Sequence, residues 1–382
     1  MLLLKRTPEQ ESSLQSYLQQ IQTPTSVNFR KFLTPEEFGQ EFGISDTNLD
    51  TVQTWLAKQG FVVSKVNKGR MAIEFSGTVG QLQQAFHTTI HRYLIDGIEH
   101  WANSTDPAIP VPLSNLIAGV ASLNDFKPSA HVIKGPKARW NAALDRFIPN
   151  LTITNGSAEY LYTSPGDAAT IYDAPNSFNT HLASNQTQYD GTGVTIGVIE
   201  DSSVDPSDVE NYRTLFGLPD RPFTVVVDGN IGNLNEDQDE TEALLDSEVS
   251  GALAPGADVI LYTAGDTVFQ SGIYLAIYRA LDDNQVNIIS LSFGECEASL
   301  GASGNLQILN AWEQAAAQGI TVTVSSGDSG SAGCDNPDTE TAATQGLAVN
   351  GFASTPFNIA VGGTDFDVLG KNFSTYISST NS

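Results

Sequence analysis

Two cysteines, two methionines and five histidines are all that 382 residues offer of the side chains that most often carry metal or redox chemistry. Cys296 and Cys334 belong to no Cys-x-x-Cys or Cys/His cluster, which argues against zinc. A single disulfide in an oxidising compartment fits them, with two buried free thiols as the alternative. His87, His91, His100 and His131 all precede residue 132, and only His181 follows, with no catalytic motif around it. Gly-x-Ser-x-Gly, phosphate-binding loops and His-Glu-x-x-His are missing too, so a Ser-His-Asp hydrolase is disfavoured. No run approaches the ~18 apolar residues that a membrane helix needs. The opening Met-Leu-Leu-Leu-Lys-Arg is too short an apolar run for a signal peptide and reads as a first strand, so any leader is expected upstream.

Basic residues are scarce. Eighteen Lys and Arg face 44 Asp and Glu, a net charge of −26, which excludes a generic nucleic-acid-binding surface. The imbalance is confined to one part of the chain. Residues 1–155 hold 14 basic and 13 acidic side chains, whereas residues 156–382 hold 4 and 31. The second segment repels itself at neutral pH, and partial protonation relieves that repulsion, a pattern suited to a protein that works in acid. Plain solubility explains the excess but not the step near residue 155.

The organisation follows the same division. Residues 1–126 alternate strands and helices: Leu2–Leu4, a helix opened by Thr7-Pro8, a helix from Asp46 to Lys58 stopped by Gly60, strands at Phe61–Val63 and Ala72–Phe75, and a helix over Val79–Phe86. This rhythm suggests a small α+β domain. Residues 127–157, with Lys127-Pro128, Gly135-Pro136 and Ile148-Pro149, read as an exposed linker open to proteolysis. From 158 to 382 apolar strands at 194–200, 258–263, 287–293, 321–324 and 358–361 alternate with helical stretches near 205–217, 238–252, 269–284 and 303–318. That order predicts a doubly wound parallel sheet with its functional groups beyond the strands' carboxyl ends.

Three carboxylate positions stand out. Glu242 and Asp246 are four apart on a predicted helix and share a face. If buried, two such groups share a proton and their pKa values split, which is one way to make a base that works in acid. On spacing alone a solvated acidic face is the simpler reading. A calcium loop over Asn233–Asp246 fits poorly, because Glu240 occupies the place where an EF-hand loop starting at Asn235 needs glycine. Asp328, between Gly327 and Ser329-Gly330, directly follows a strand and is placed either to aim a polar group into a cleft or to make a tight turn. Glu200 ends the first central strand, as a site residue or as a plain strand cap.

Together these pieces resemble the sedolisin family of serine-carboxyl peptidases over nearly the whole chain. In the first segment the resemblance rests on Phe32-Leu33-Thr34-Pro35-Glu36-Glu37-Phe38, Phe75-Ser76-Gly77-Thr78 and Ala85-Phe86-His87-Thr88. In the second it rests on Glu242-Ala243-Leu244-Leu245-Asp246, Ser290–Gly294, Ser325–Gly330 and Val361-Gly362-Gly363-Thr364. It implies a ferredoxin-like α+β propeptide over 1–126 that inhibits from within, a linker with the activation cut at 127–157, and a subtilisin-like α/β catalytic domain over 158–382. It also implies roles: Glu242 as general base, Asp246 as its partner, and Asp328 as the protonated oxyanion-hole acid. Glu200 would stand behind the dyad. Ser292 and Gly294 would lie on the edge where peptide adds as a strand, and a Cys296–Cys334 disulfide would brace the cleft.

The family's nucleophile lies in a Gly-Thr-Ser motif followed by an acidic calcium loop. Here Gly363-Thr364 is followed by Asp365. The expectation is therefore a secreted, acid-acting endopeptidase zymogen with protein or peptide substrates and no membrane partner. Its serine and calcium ligands would lie beyond Ser382, and the chain as it stands would be inactive. The alternative is an inert fragment or pseudoenzyme that serves as a binding module.

Overall fold

The structure is a computed structural model that describes residues 1–95, 97–121, 123–130, 163–230, 238–335 and 342–364, with backbone strands alone between 139 and 161. The first unit runs β1 (Leu2–Leu4), α1 (Pro8–Gln22), α2 (Pro35–Glu41), α3 (Asp46–Lys58), β2 (Val62–Val66), β3 (Ala72–Ser76), α4 (Val79–Phe86), the hairpin β4 (Ile90–Ile95) and β5 (Ile98–Asn103), and β6 (Ile117–Val120). The sheet order β2-β3-β1-β6 is antiparallel throughout and has the ferredoxin-like βαββαβ arrangement. Helices α1, α2 and α4 each start with a reciprocal capping box, Thr7/Gln10, Thr34/Glu37 and Thr78/Gln81. The Thr34-Pro35-x-Glu37 signal makes α2, a helix that apolar periodicity alone did not suggest.

Strand β1 is buried on both faces, and this decides how the halves meet. Leu2 and Leu4 enter a core with Val52, Leu56, Phe61 and Phe86, while Leu3 points the other way into a core with Ala276, Tyr278 and Trp312 of the second unit. The small sheet is thus a shared layer. Glycines keep the seam tight: a Cβ at Gly69 would come within 2.1 Å of Gln314 Oε1, and one at Gly119 within 2.4 Å of Ser303 Oγ. Polar contacts across it set bases of the first unit against acids of the second. Arg6 donates to Glu313 at 2.6 Å, Lys65 to Asp228 at 2.8 Å, and the Lys68 amide to Asp282 at 2.9 Å.

After β6 comes β7 (Ser129–Ala130), then two backbone hairpins, β8 (Arg139–Asn141) with β9 (Arg146–Ile148) and β10 (Thr152–Asn155) with β11 (Ala158–Leu161). The stretch expected to be an exposed linker is therefore not exposed at its start. Pro128 and Ala130 are buried, because β7 pairs with the second unit. Residues 131–138, 142–145, 149–151, 156 and 157 of that stretch lie outside the described residues.

The second unit contains α5 (Pro165–Ile171), β12 (Thr195–Glu200), α6 (Pro206–Phe216), β13 (Phe223–Val227), α7 (Gln238–Leu253), β14 (Asp258–Thr263), α8 (Gly272–Asp283), β15 (Ile288–Leu291), β16 (Phe293–Gly294), α9 (Glu297–Gln318), β17 (Thr321–Ser325) and β18 (Ile359–Val361). Six strands form a wholly parallel sheet, β13-β14-β12-β15-β17-β18, in a subtilisin-like α/β fold. Helices cover both faces. Ile196 and Val198 of β12 face the core shared with α6 and α7, and Ile199 faces α8 and α9. Two readings change: Phe223–Val227 adds an edge strand, and the expected 287–293 strand breaks at Ser292 into β15 and β16.

Replacing Arg6 with alanine leaves the Glu313 carboxylate buried without its partner. We expect a loss of roughly 3–5 kcal/mol of stability, measurable by urea unfolding.

Candidate functional site: buried carboxylates at the ends of the parallel strands

Alternation along β12 puts Glu200 on the same face as Ile196 and Val198, the face that α7 covers. Helix α7 presents Glu242 and Asp246 one turn apart, and it packs against both β12 and β14. Glu200 is fully buried and Glu242 is 5% exposed. The expectation of a solvated acidic face is therefore set aside by where α7 packs.

Ser292, at the break between β15 and β16, donates its hydroxyl to Asp246 Oδ2 at 2.7 Å. Burial and the neighbouring Asp246 push the Glu242 carboxyl up to about 8, while a hydrogen bond from Ser292 pulls the other way. Burial raises Asp246 to about 6. Glu200 rises well above its ordinary range through burial and then through the charges of Asp246 and Glu242. Among the described residues neither Glu200 oxygen has a hydrogen-bond partner, and an unpaired buried carboxylate is costly. All three carboxyls are thus held above their ordinary range.

Asp328 follows β17 on an exposed turn between Gly327 (φ 88°) and Gly330 (φ 55°), and its charge acts on Glu242. The sheet thus brings Asp328 toward the same end as the dyad. The loop is held from both sides: Cys296, the N-cap of α9, is joined to Cys334 by a disulfide. Gly294 is needed for a close approach, since a Cβ there would come within 2.7 Å of Asn350 Nδ2.

Asn350 is the residue that sequence reasoning missed. Buried, it donates to the carbonyls of Ser325 and Phe293 and accepts from the amides of Glu295 and Phe352. It clamps the end of β17, which leads to Asp328, to β16 beside the dyad. An isolated Asn in a loop carries no pattern that announces such a role.

Strand β16 is already occupied. Phe293 pairs with Ala130 and Gly294 with Ser129, antiparallel, so the tail of the first unit adds as a strand to the edge expected to take peptide. Gly363-Thr364 lies past β18, where Thr364 meets the Tyr172 hydroxyl at 2.5 Å, and Asp365 is outside the described residues. His181 is exposed, away from these groups. Among the described residues no group of three or more His, Cys, Asp or Glu fits a metal ion. No described helix is long and apolar enough to cross a membrane.

The subtilisin-like parallel sheet carries paired carboxyls on α7 at the strands' carboxyl ends and is preceded by a docked ferredoxin-like unit. Residues 2–126 match the pro-kumamolisin activation domain. Sedolisin of Pseudomonas sp. (strain 101) is 30% identical over 368 residues, covering 93% of this chain and 58% of sedolisin. Xanthomonalisin of Xanthomonas sp. (strain T-22) is 28% identical over 388 residues, covering 95% and 45%. Kumamolisin of Bacillus sp. (strain MN-32) is 27% identical over 350 residues, covering 90% and 58%. The chain is similar to these sedolisin-type peptidases over most of its own length, and it spans about half the length of these relatives.

The raised Glu242 carboxyl has a consequence for stability. Its pKa goes from an ordinary 4.5 to about 8, so the fold favours the protonated form. That contribution is complete below about pH 4.5 and is lost as pH climbs through about 8. Glu242→Gln should flatten this decline by roughly 2–4 kcal/mol between those limits, as followed by denaturant unfolding at each pH.

Proposed function

We propose that this chain is the propeptide and the carboxylate-bearing part of an acid-acting serine-carboxyl endopeptidase, in its self-inhibited form. The observation that carries the reading is the buried Glu242–Asp246 pair, at the sheet's carboxyl end, beside a strand edge that the chain's own residues 129–130 occupy. In this reading Glu242 takes the proton of a serine hydroxyl as that oxygen attacks the substrate carbonyl. Asp246 holds Glu242 through a shared proton, and Glu200 beneath them keeps the pair from holding more than one charge. Asp328 donates a hydrogen bond to the oxyanion, for which it must carry a proton. The serine is placed in a Gly-Thr-Ser segment beyond Ser382. Calcium and secretion belong to the same proposal. The disulfide supports secretion, since such bonds persist in oxidising compartments.

Substrate enters as a strand on β16, where the 129–130 segment now lies, so peptide and propeptide tail compete for one edge. The tail's departure also admits water to Glu242 and Asp246 and lowers both pKa values toward the range a base in acid needs.

The ionisations at the seam pull in both directions as pH falls. Burial lifts Asp282 to about 6 and raises Glu74 as well, so these carboxyls favour the docked form in acid. Burial lowers the Met1 amino group to about 5, which works the other way. Release of the propeptide is therefore assigned to cleavage of the connecting segment.

The product of the full-length gene, held in acid, should hydrolyse unfolded protein, and Glu242→Ala should lower kcat roughly 10³-fold or more. Hydrolysis unchanged by that substitution would favour the binding-module reading. N-terminal sequencing of the mature form should find a new terminus within residues 127–157; active protein with this stretch intact would refute the activation step.

A further inference from the structure

The tail of the activation domain carries a lysine into the cleft. Pairing of Ser129 with Gly294 and Ala130 with Phe293 sets the direction and register of a peptide on this edge. Two residues before Ser129, Lys127 turns inward: its Nζ is shielded from solvent and has no hydrogen-bond partner. Burial lowers the Lys127 ammonium below its ordinary range, and the carboxylates of Asp266, Asp125, Asp201 and Glu295 act against that. Asp125 belongs to the same tail and would leave with it. The other three follow the carboxyl ends of neighbouring strands. Asp201 succeeds β12, Asp266 lies in the loop after β14, and Glu295 comes directly after β16, beyond β15. Open parallel sheets form their ligand clefts at such ends.

These positions are built. Asp266 accepts the Gly272 amide at 2.6 Å, at the start of α8, and the Glu295 amide is held by Asn350. A buried ammonium with no hydrogen bond is costly, and three carboxylates of the second unit offset part of that cost, with burial raising Glu295 to about 7 while Lys127 pulls it down. None of them is needed by the dyad chemistry above.

We propose that Asp201, Asp266 and Glu295 line a side-chain pocket selecting peptides that carry Lys or Arg three residues before the one paired with Phe293. Lys127 fills this pocket until the tail leaves, as a built-in copy of the preferred side chain. The proposal rests on the peptidase reading.

The test is digestion of a mixed peptide library by the activated full-length protein, at the highest pH where it still cleaves, with cut sites read by mass spectrometry. Lys and Arg should be enriched about tenfold at one fixed position upstream of the cut, the discrimination expected of one charge-assisted contact. Glu295→Gln should reduce that enrichment to about twofold, and Glu295→Lys should shift the preference toward Asp and Glu at the same position. Cleavage with no basic preference, or a preference that both substitutions leave intact, overturns the pocket and leaves the peptidase reading standing. Absence of cleavage altogether sinks the peptidase reading and the pocket with it.

Discussion

Three carboxyl groups crowded into a space with little water cannot all be charged, and the second unit is organised around that constraint. Packing α7 onto β12 buries Glu242 and half-buries Asp246, and the alternation of β12 delivers Glu200 to the same place. Each added negative charge raises the cost of the next, so the group holds protons that isolated carboxyls would have released. Ser292 is the one hydroxyl donor the structure sets against this trend, and it acts where the strand breaks. The site's capacity to accept a proton is thus a property of the sheet and one helix together.

The first unit is bound to this arrangement more closely than a detachable cap would be. Its central strand contributes Leu3 to the core of the second unit, and Ser129 and Ala130 extend onto the edge beside the carboxyls. Docking and folding therefore draw on one surface. The step in charge along the sequence takes structural form here, as lysine and arginine of the near-neutral half meet aspartate and glutamate of the acidic half.

Much of the fold was legible because local signals and burial agree. Gly60 ends α3 and Gly217 ends α6 with positive φ, Thr7-Pro8 and Asp205-Pro206 open helices, and the apolar runs that became β12, β14, β15 and β17 needed no further argument. Strand β13 was missed because Phe223–Val227 is an edge strand, only partly buried, flanked by prolines and acids that resemble loop. The i, i+4 spacing of Glu242 and Asp246 was visible, but their burial was not, since it depends on which face of α7 meets the sheet. Asn350 and Lys127 were beyond reach for the same reason. Their significance lies in partners 25 to 57 residues distant for Asn350, and across the domain seam for Lys127.

The glycines at the seam restrict how the two halves change over time. Where Gly69 lies against Gln314 and Gly119 against Ser303, there is room for a hydrogen and nothing larger. A methyl group at Gly69 or Gly119 would have to displace the Gln314 amide or turn the Ser303 hydroxyl, so drift in one half must be accommodated by the other. Propeptides of this type are consequently poor candidates for exchange between relatives: a foreign one, even correctly folded, would meet α9 with the wrong contour.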